Sequence, residues 1–211
     1  MVFTTINAKC LEILNTAKKL EKHLISLNIS KTQEKIVFQL YSSLIKLMED
    51  YKKTECLYSS FFIAKALIET CAHLRLSYQD RNYAYFRQWE YFNDIDRKMN
   101  LAKSSEDPLL QKFYSSMANS ADSVREIKKV IASVVRIKDL EKRYLKKDNV
   151  LRETNLYEIY NFFFHNLSVY VHSEFFPIED IFEEDTALQL SLTTQSLLQK
   201  EIDQVTAFFG V

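Results

Sequence analysis

The stretch NLYEIYNFFFHNLSVYVHSEFF, residues 155–176, decides the fold class. Read as a helix, it is apolar almost all the way round. Ile159, Tyr160, Phe162, Phe163, Phe164, Leu167, Val169, Tyr170 and Val171 cover most of its circumference. Tyr157, Asn161, His165, Ser168 and His172 step by four, four, three and four residues, so they stack on the one face left over. A surface helix carries a wide polar face; an aromatic cylinder with a thin polar seam belongs inside a helical bundle. Two of the chain's four histidines lie in that seam.

Composition points the same way. The 211 residues are 47% hydrophobic and 13% aromatic, enough for a sizeable core in one large domain. One glycine and two prolines are too few for the turns of a sheet protein, and they exclude any Gly-rich phosphate loop. Lysine plus arginine balances aspartate plus glutamate at 28 each, so no global basic field drives nucleic-acid binding and only a local patch could do so. Cys10, Cys56 and Cys71 are odd in number and sit in helical patterns, as expected of reduced, buried thiols in a cytoplasmic protein. They form no CxxC pair or Cys/His ligand cluster, so no metal or other cofactor is expected. The start, MVFTTINAKC, lacks the pattern of a signal peptide. The most apolar run is interrupted by Lys65 and Glu69 and is too short to span a bilayer, so no membrane partner is expected.

Taken in order, the periodicity predicts helices over about 5–27, 31–48, 54–79 and 83–102, the second with a capping start at Ser30. SSEDP, residues 104–108, reads as a linker, with Pro108 in a first helical turn. A helical pattern then runs to about Lys147. NSADS at 119–123 marks a kink, and Val130, Ile131, Val134, Val135, Ile137, Leu140 and Tyr144 are expected to face inward. A last helix over 186–209 ends at Gly210. The expectation is an all-α, single-domain bundle of six to seven helices over residues 1–211, with its core over 31–176.

Two readings of the histidine seam stand side by side. It can be a hydrogen-bonded seam between helices. Or it can be a site in which one histidine acts as acid or base while the other, with Asn161, holds a phosphate. A metal between the histidines lacks a third ligand. On the third helix Lys65, Glu69 and His73 lie four residues apart. Lys65 and Glu69 can form an ordinary helical ion pair, or Glu69 can face His165 or His172 and set its tautomer. The basic run from Arg125 to Lys147 reads either as a solvated face or as a docking strip for RNA or an acidic partner. The aromatics interleaved with arginine at 83–97 read as core and interface rather than as a base-stacking platform.

The order Tyr160, Ser168, His172, Ser173 near a helix end, together with Lys65-Ala-Leu-Ile-Glu69 and the following stretch through Tyr78 and Asp80, resembles the HEPN-like all-helical bacterial domains. The likeness covers roughly residues 61–176. That family includes RNA-cleaving toxins and abortive-infection proteins, and its hallmark is an Arg, often a polar residue next, and a His a few positions on. His172 matches the His and Asn166 the polar position, while His165 stands where the Arg belongs. The resemblance implies a metal-independent endoribonuclease in a toxin or phage-defence setting, with His172, His165, Asn161 and Glu69 catalytic. Asn166, Ser168, Lys65 and Arg75 would contact RNA. It also implies a homodimer and a cognate antitoxin or defence-system partner. A histidine is a poorer phosphate clamp than a guanidinium fork, so the missing charge is expected from Lys65, Arg75 or Arg152. The competing expectation is a catalytically silent interaction module.

Overall fold

The computed structural model describes residues 2–53, 57–162 and 184–211. The chain is all-α, and no strand occurs among the described residues. The helices are α1 (Val2–Ser26), α2 (Thr32–Lys53), α3 (Leu57–Gln79), α4 (Arg81–Ser104), α5 (Pro108–Met117), α6 (Ala121–Val134), α7 (Ile137–Tyr144), α8 (Lys147–Glu153), α9 (157–162) and α10 (Glu184–Phe209). They gather into two compact units. The first is Met1–Gln79 with Lys146–Val211; the second is Asp80–Leu145.

In the first unit α3 is the central helix, packed against α2, α8 and α10, while α1 closes on α2 and α10. Phe61, Ala64, Leu67, Ile68, Cys71, Ala72 and Leu74 are all buried, so α3 is enclosed nearly all round. Each large apolar side chain buried in this way contributes roughly 1.5–3 kcal/mol. Tyr41, fully buried on α2, donates its hydroxyl to the Ala17 carbonyl on α1 at 3.0 Å, so the packed ring leaves no orphaned polar atom. Cys10 and Cys71 are buried free thiols. Helix α2 begins at Thr32, past the Ser30 expected to cap it, and the Lys31 carbonyl accepts the Lys35 N–H at 3.1 Å. Gln33 leaves its own helix end and donates its amide to Ser77 O at 2.8 Å, satisfying a late carbonyl of α3. At the far end α10 closes as expected. Gly210 takes φ 69°, and the N–H groups of Gly210 and Val211 return to Ala207 O at 3.3 Å and Thr206 O at 3.2 Å.

In the second unit α4 packs against α5, α6 and α7. Asp80 caps α4 through Asn82 N at 2.8 Å, and Asp107 caps α5 through Leu109 N at 2.7 Å, with Pro108 in the first turn. The 104–108 linker therefore joins two helices inside this unit. The helical pattern expected to run to about Lys147 with a kink at 119–123 is divided further. A 3-10 turn occupies Ala118–Ser120, Val135 is extended (φ −129°, ψ 148°), and a further break separates α7 from α8. These breaks turn the run. Val124, Ile131, Val135 and Tyr144 are buried, but Val130 and Val134, expected inward, are 60% and 53% exposed. With α4 as its cover, α6 buries one narrow stripe, and Val130 and Val134 lie outside it. Tyr144 meets the Tyr83 ring edge-on at 4.7 Å between centroids, which ties α7 to α4. No described helix is long and apolar enough to cross a membrane.

Candidate functional site

The site is built where α8 turns into α9, and the turn has a local cause. Asn155 adopts φ 57°, a left-handed conformation that asparagine tolerates better than most residues. It follows the last turn of α8, with Asn155 N–H bonded to Arg152 O at 3.1 Å and Leu156 N–H to Leu151 O at 2.8 Å. This is the same closing pattern as at Gly210, with Asn in place of Gly. Leu151 and Leu156, which flank the turn, are both buried and pin it to the core. The next helix starts at once, since Tyr160 N–H bonds to Leu156 O at 2.9 Å. A single left-handed residue thus sets the direction of α9, the beginning of the histidine-bearing stretch.

Three cations and one carboxylate meet α9. Arg152 lies over the Tyr157 ring with its guanidinium carbon 3.5 Å from the centroid. Lys147 and Lys65 bring their ammonium groups to 5.4 Å and 6.0 Å from the Tyr160 ring centroid. Lys147 donates to Glu69 Oε1 at 2.8 Å and to the Tyr160 hydroxyl at 3.2 Å. Burial works against the Lys147 charge, yet its bonds to Glu69 and Tyr160 outweigh that and lift its pKa above the ordinary lysine value. Burial raises the Tyr160 phenol, with Glu69 adding to the rise and Lys147 opposing it. A raised phenol stays protonated at neutral pH and remains a neutral hydrogen-bonding group beside the carboxylate.

Of the residues expected in the site, Lys65 and Glu69 converge on α9, and Asn161 lies on α9 half-buried, one residue past Tyr160. His165, Asn166, Ser168 and His172 lie outside the described residues, as do Phe163 onward to residue 183. Arg75 is elsewhere. It is buried and donates Nε to Glu201 Oε1 at 2.6 Å and Nη1 to the Thr154 carbonyl at 3.0 Å. Its Nη2 sits 2.6 Å from the same Glu201 oxygen, and Tyr78 donates its hydroxyl to the other oxygen at 3.4 Å. Burial lifts the Glu201 carboxyl above its ordinary range, with Arg75 pulling against that rise.

The two ion pairs differ in kind. Glu201 is wholly buried, and removing one member of such a pair strands the other, at a cost of about 3–5 kcal/mol. Lys147 and Glu69 retain 46% and 27% exposure, where a pair is worth about 0–1 kcal/mol. The first is a fixed strut; the second can exchange partners. Among the described residues no group of His, Cys, Asp and Glu is arranged to hold a metal.

Lys147 and Glu201 escape a reading of the sequence for different reasons. Lys147 stands among many lysines on the basic run, with nothing local to single it out. Glu201 does leave a trace. It falls on the inward stripe of α10 with Leu198, Ile202 and Val205, and a lone acid on an apolar stripe signals a buried partner. Compared with known protein families, with curated proteins and with solved structures, the chain matches none.

Proposed function

We propose that this chain is a HEPN-like effector of a bacterial toxin or phage-defence system that cleaves RNA without a metal. In this reading His172 moves the proton at the 2′-hydroxyl, His165 and Asn161 contact the phosphate, and Glu69 orients the imidazole. The hydroxyl oxygen attacks the adjacent phosphorus, the 5′-oxygen leaves with a proton, and a 2′,3′-cyclic phosphate remains. The observation that carries the reading is the convergence of Glu69, Lys65 and Lys147 on Tyr160, at the start of the histidine-bearing stretch. It supplies a carboxylate and two cations beside Tyr160, groups of the kinds that the chemistry needs. The reading includes a homodimer, which sedimentation velocity at micromolar concentration checks.

Incubation of the purified chain with total RNA, with and without chelator, tests it beside His172→Ala. Chelator-insensitive cleavage with cyclic-phosphate ends, abolished in a folded His172→Ala, is the expected result. A second reading, a catalytically silent interaction module, is favoured by the exposed apolar faces of α5 and α6, with Leu109 77% and Val130 60% exposed. It wins if the wild type never cuts RNA and His172→Ala loses stability instead.

A further inference from the structure

We propose that Lys147 takes a phosphate of the RNA backbone, leaving Glu69 when the strand docks, so that α8 supplies the cation absent at His165. The inference rests on the ribonuclease reading above. Arg75 cannot serve, because its guanidinium is buried and held by Glu201 and the Thr154 carbonyl. Lys147 is close to half exposed and its present partner is a half-exposed carboxylate. An ammonium is a point charge on a flexible stem, so it passes from a carboxylate to a phosphate without the geometric loss that a guanidinium fork suffers. Lys147 and Lys65 both reach the Tyr160 ring, at 5.4 Å and 6.0 Å from its centroid, so a second ammonium group stands near the one that would meet the anion. Handing Lys147 to a phosphate also frees the Glu69 oxygen it now occupies, and that carboxylate is the one the reading assigns to an imidazole.

The exchange has a signature that a structural ion pair lacks: its two members must act in opposite directions. Binding of a 2′-O-methyl oligoribonucleotide, which the reaction cannot cleave, is measured against salt concentration with the full chain. Lys147→Ala is expected to weaken binding about tenfold, alike for all sequences, and to lower the salt slope by about one contact. Lys147→Arg keeps the slope. Glu69→Gln, which releases Lys147, tightens binding. The inference is overturned if the wild type binds while Lys147→Ala binds with the same affinity and slope. It is equally overturned if Glu69→Gln weakens binding as Lys147→Ala does, since the pair is then only a strut. In both cases RNA cleavage by the wild type leaves the ribonuclease reading standing. A wild type that neither binds nor cuts RNA overturns both.

Discussion

Helices α3 and α5 are both rich in apolar residues, and they end in opposite states. Along α3, from Phe61 to Leu74, most of the apolar side chains are buried, with Phe62 the exposed exception. Along α5 none is buried, and Leu109 and Phe113 remain 77% and 41% exposed. Composition does not separate the two; neighbours do. Helix α3 has α2, α8 and α10 around it, whereas α5 has α4 and the following turn. The same contrast divides the charges. Around α3 an arginine and a glutamate are sealed together. On α4, Asp94 is held at the surface by Arg97 at 2.9 Å and Lys98 at 2.6 Å. The lesson is that a helix's place in the packing, more than its own sequence, sets what a substitution does.

The strongest way to break this contrast is at the sealed pair. Glu201→Ala is expected to destabilise the first unit by about 3–5 kcal/mol in chemical denaturation, because Arg75 is left charged and buried. Arg75→Met with Glu201→Leu together should recover most of that loss. A loss below about 1 kcal/mol for the single variant would mean the pair is no strut. Next comes the apolar side. Leu74→Ala on α3 should cost about 2–5 kcal/mol, and Leu109→Ala on α5 should stay within about 0.5 kcal/mol. Hydrogen exchange sharpens the same point, with α5 amides exchanging well before those of α3.

The smallest effect concerns acid. Lys98 first, joined by Arg97, holds the Asp94 carboxyl below the ordinary aspartate value against an opposing desolvation. Its stabilising contribution is therefore present above that ordinary value and is lost as pH falls through the lowered one. Asp94→Asn should flatten this part of the acid limb of the stability curve without moving the neutral plateau. Unchanged curvature in acid titrations followed by circular dichroism would remove Asp94 from the account.

Much of the architecture is legible in the chain before any coordinates. The scarcity of glycine, the helical stripes, Pro108 after Asp107 and the stop at Gly210 all state their roles locally. What escapes is whatever depends on a distant neighbour. The inward placement expected for Val130 and Val134 fails because an apolar stripe does not say how much cover awaits it. The site divides in the same way. Glu69 and Lys65 are marked by their spacing on one helix. Lys147 joins them only because α8 packs against α3, and no periodicity announces that. Arg75, basic and on the right helix, looks like an RNA contact until Glu201 is seen against it, 126 residues away.

The Arg75 bond to the Thr154 carbonyl has a consequence for genetics. That carbonyl immediately precedes the left-handed Asn155, so the bond anchors the corner from which α9 departs. Glu201, at the opposite end of the chain, keeps Arg75 in place to make it. If the proposed ribonuclease reading holds, a screen for inactive alleles would therefore recover lesions in the last helix that touch no substrate. Mapped by position alone, such alleles would be mistaken for a second active centre.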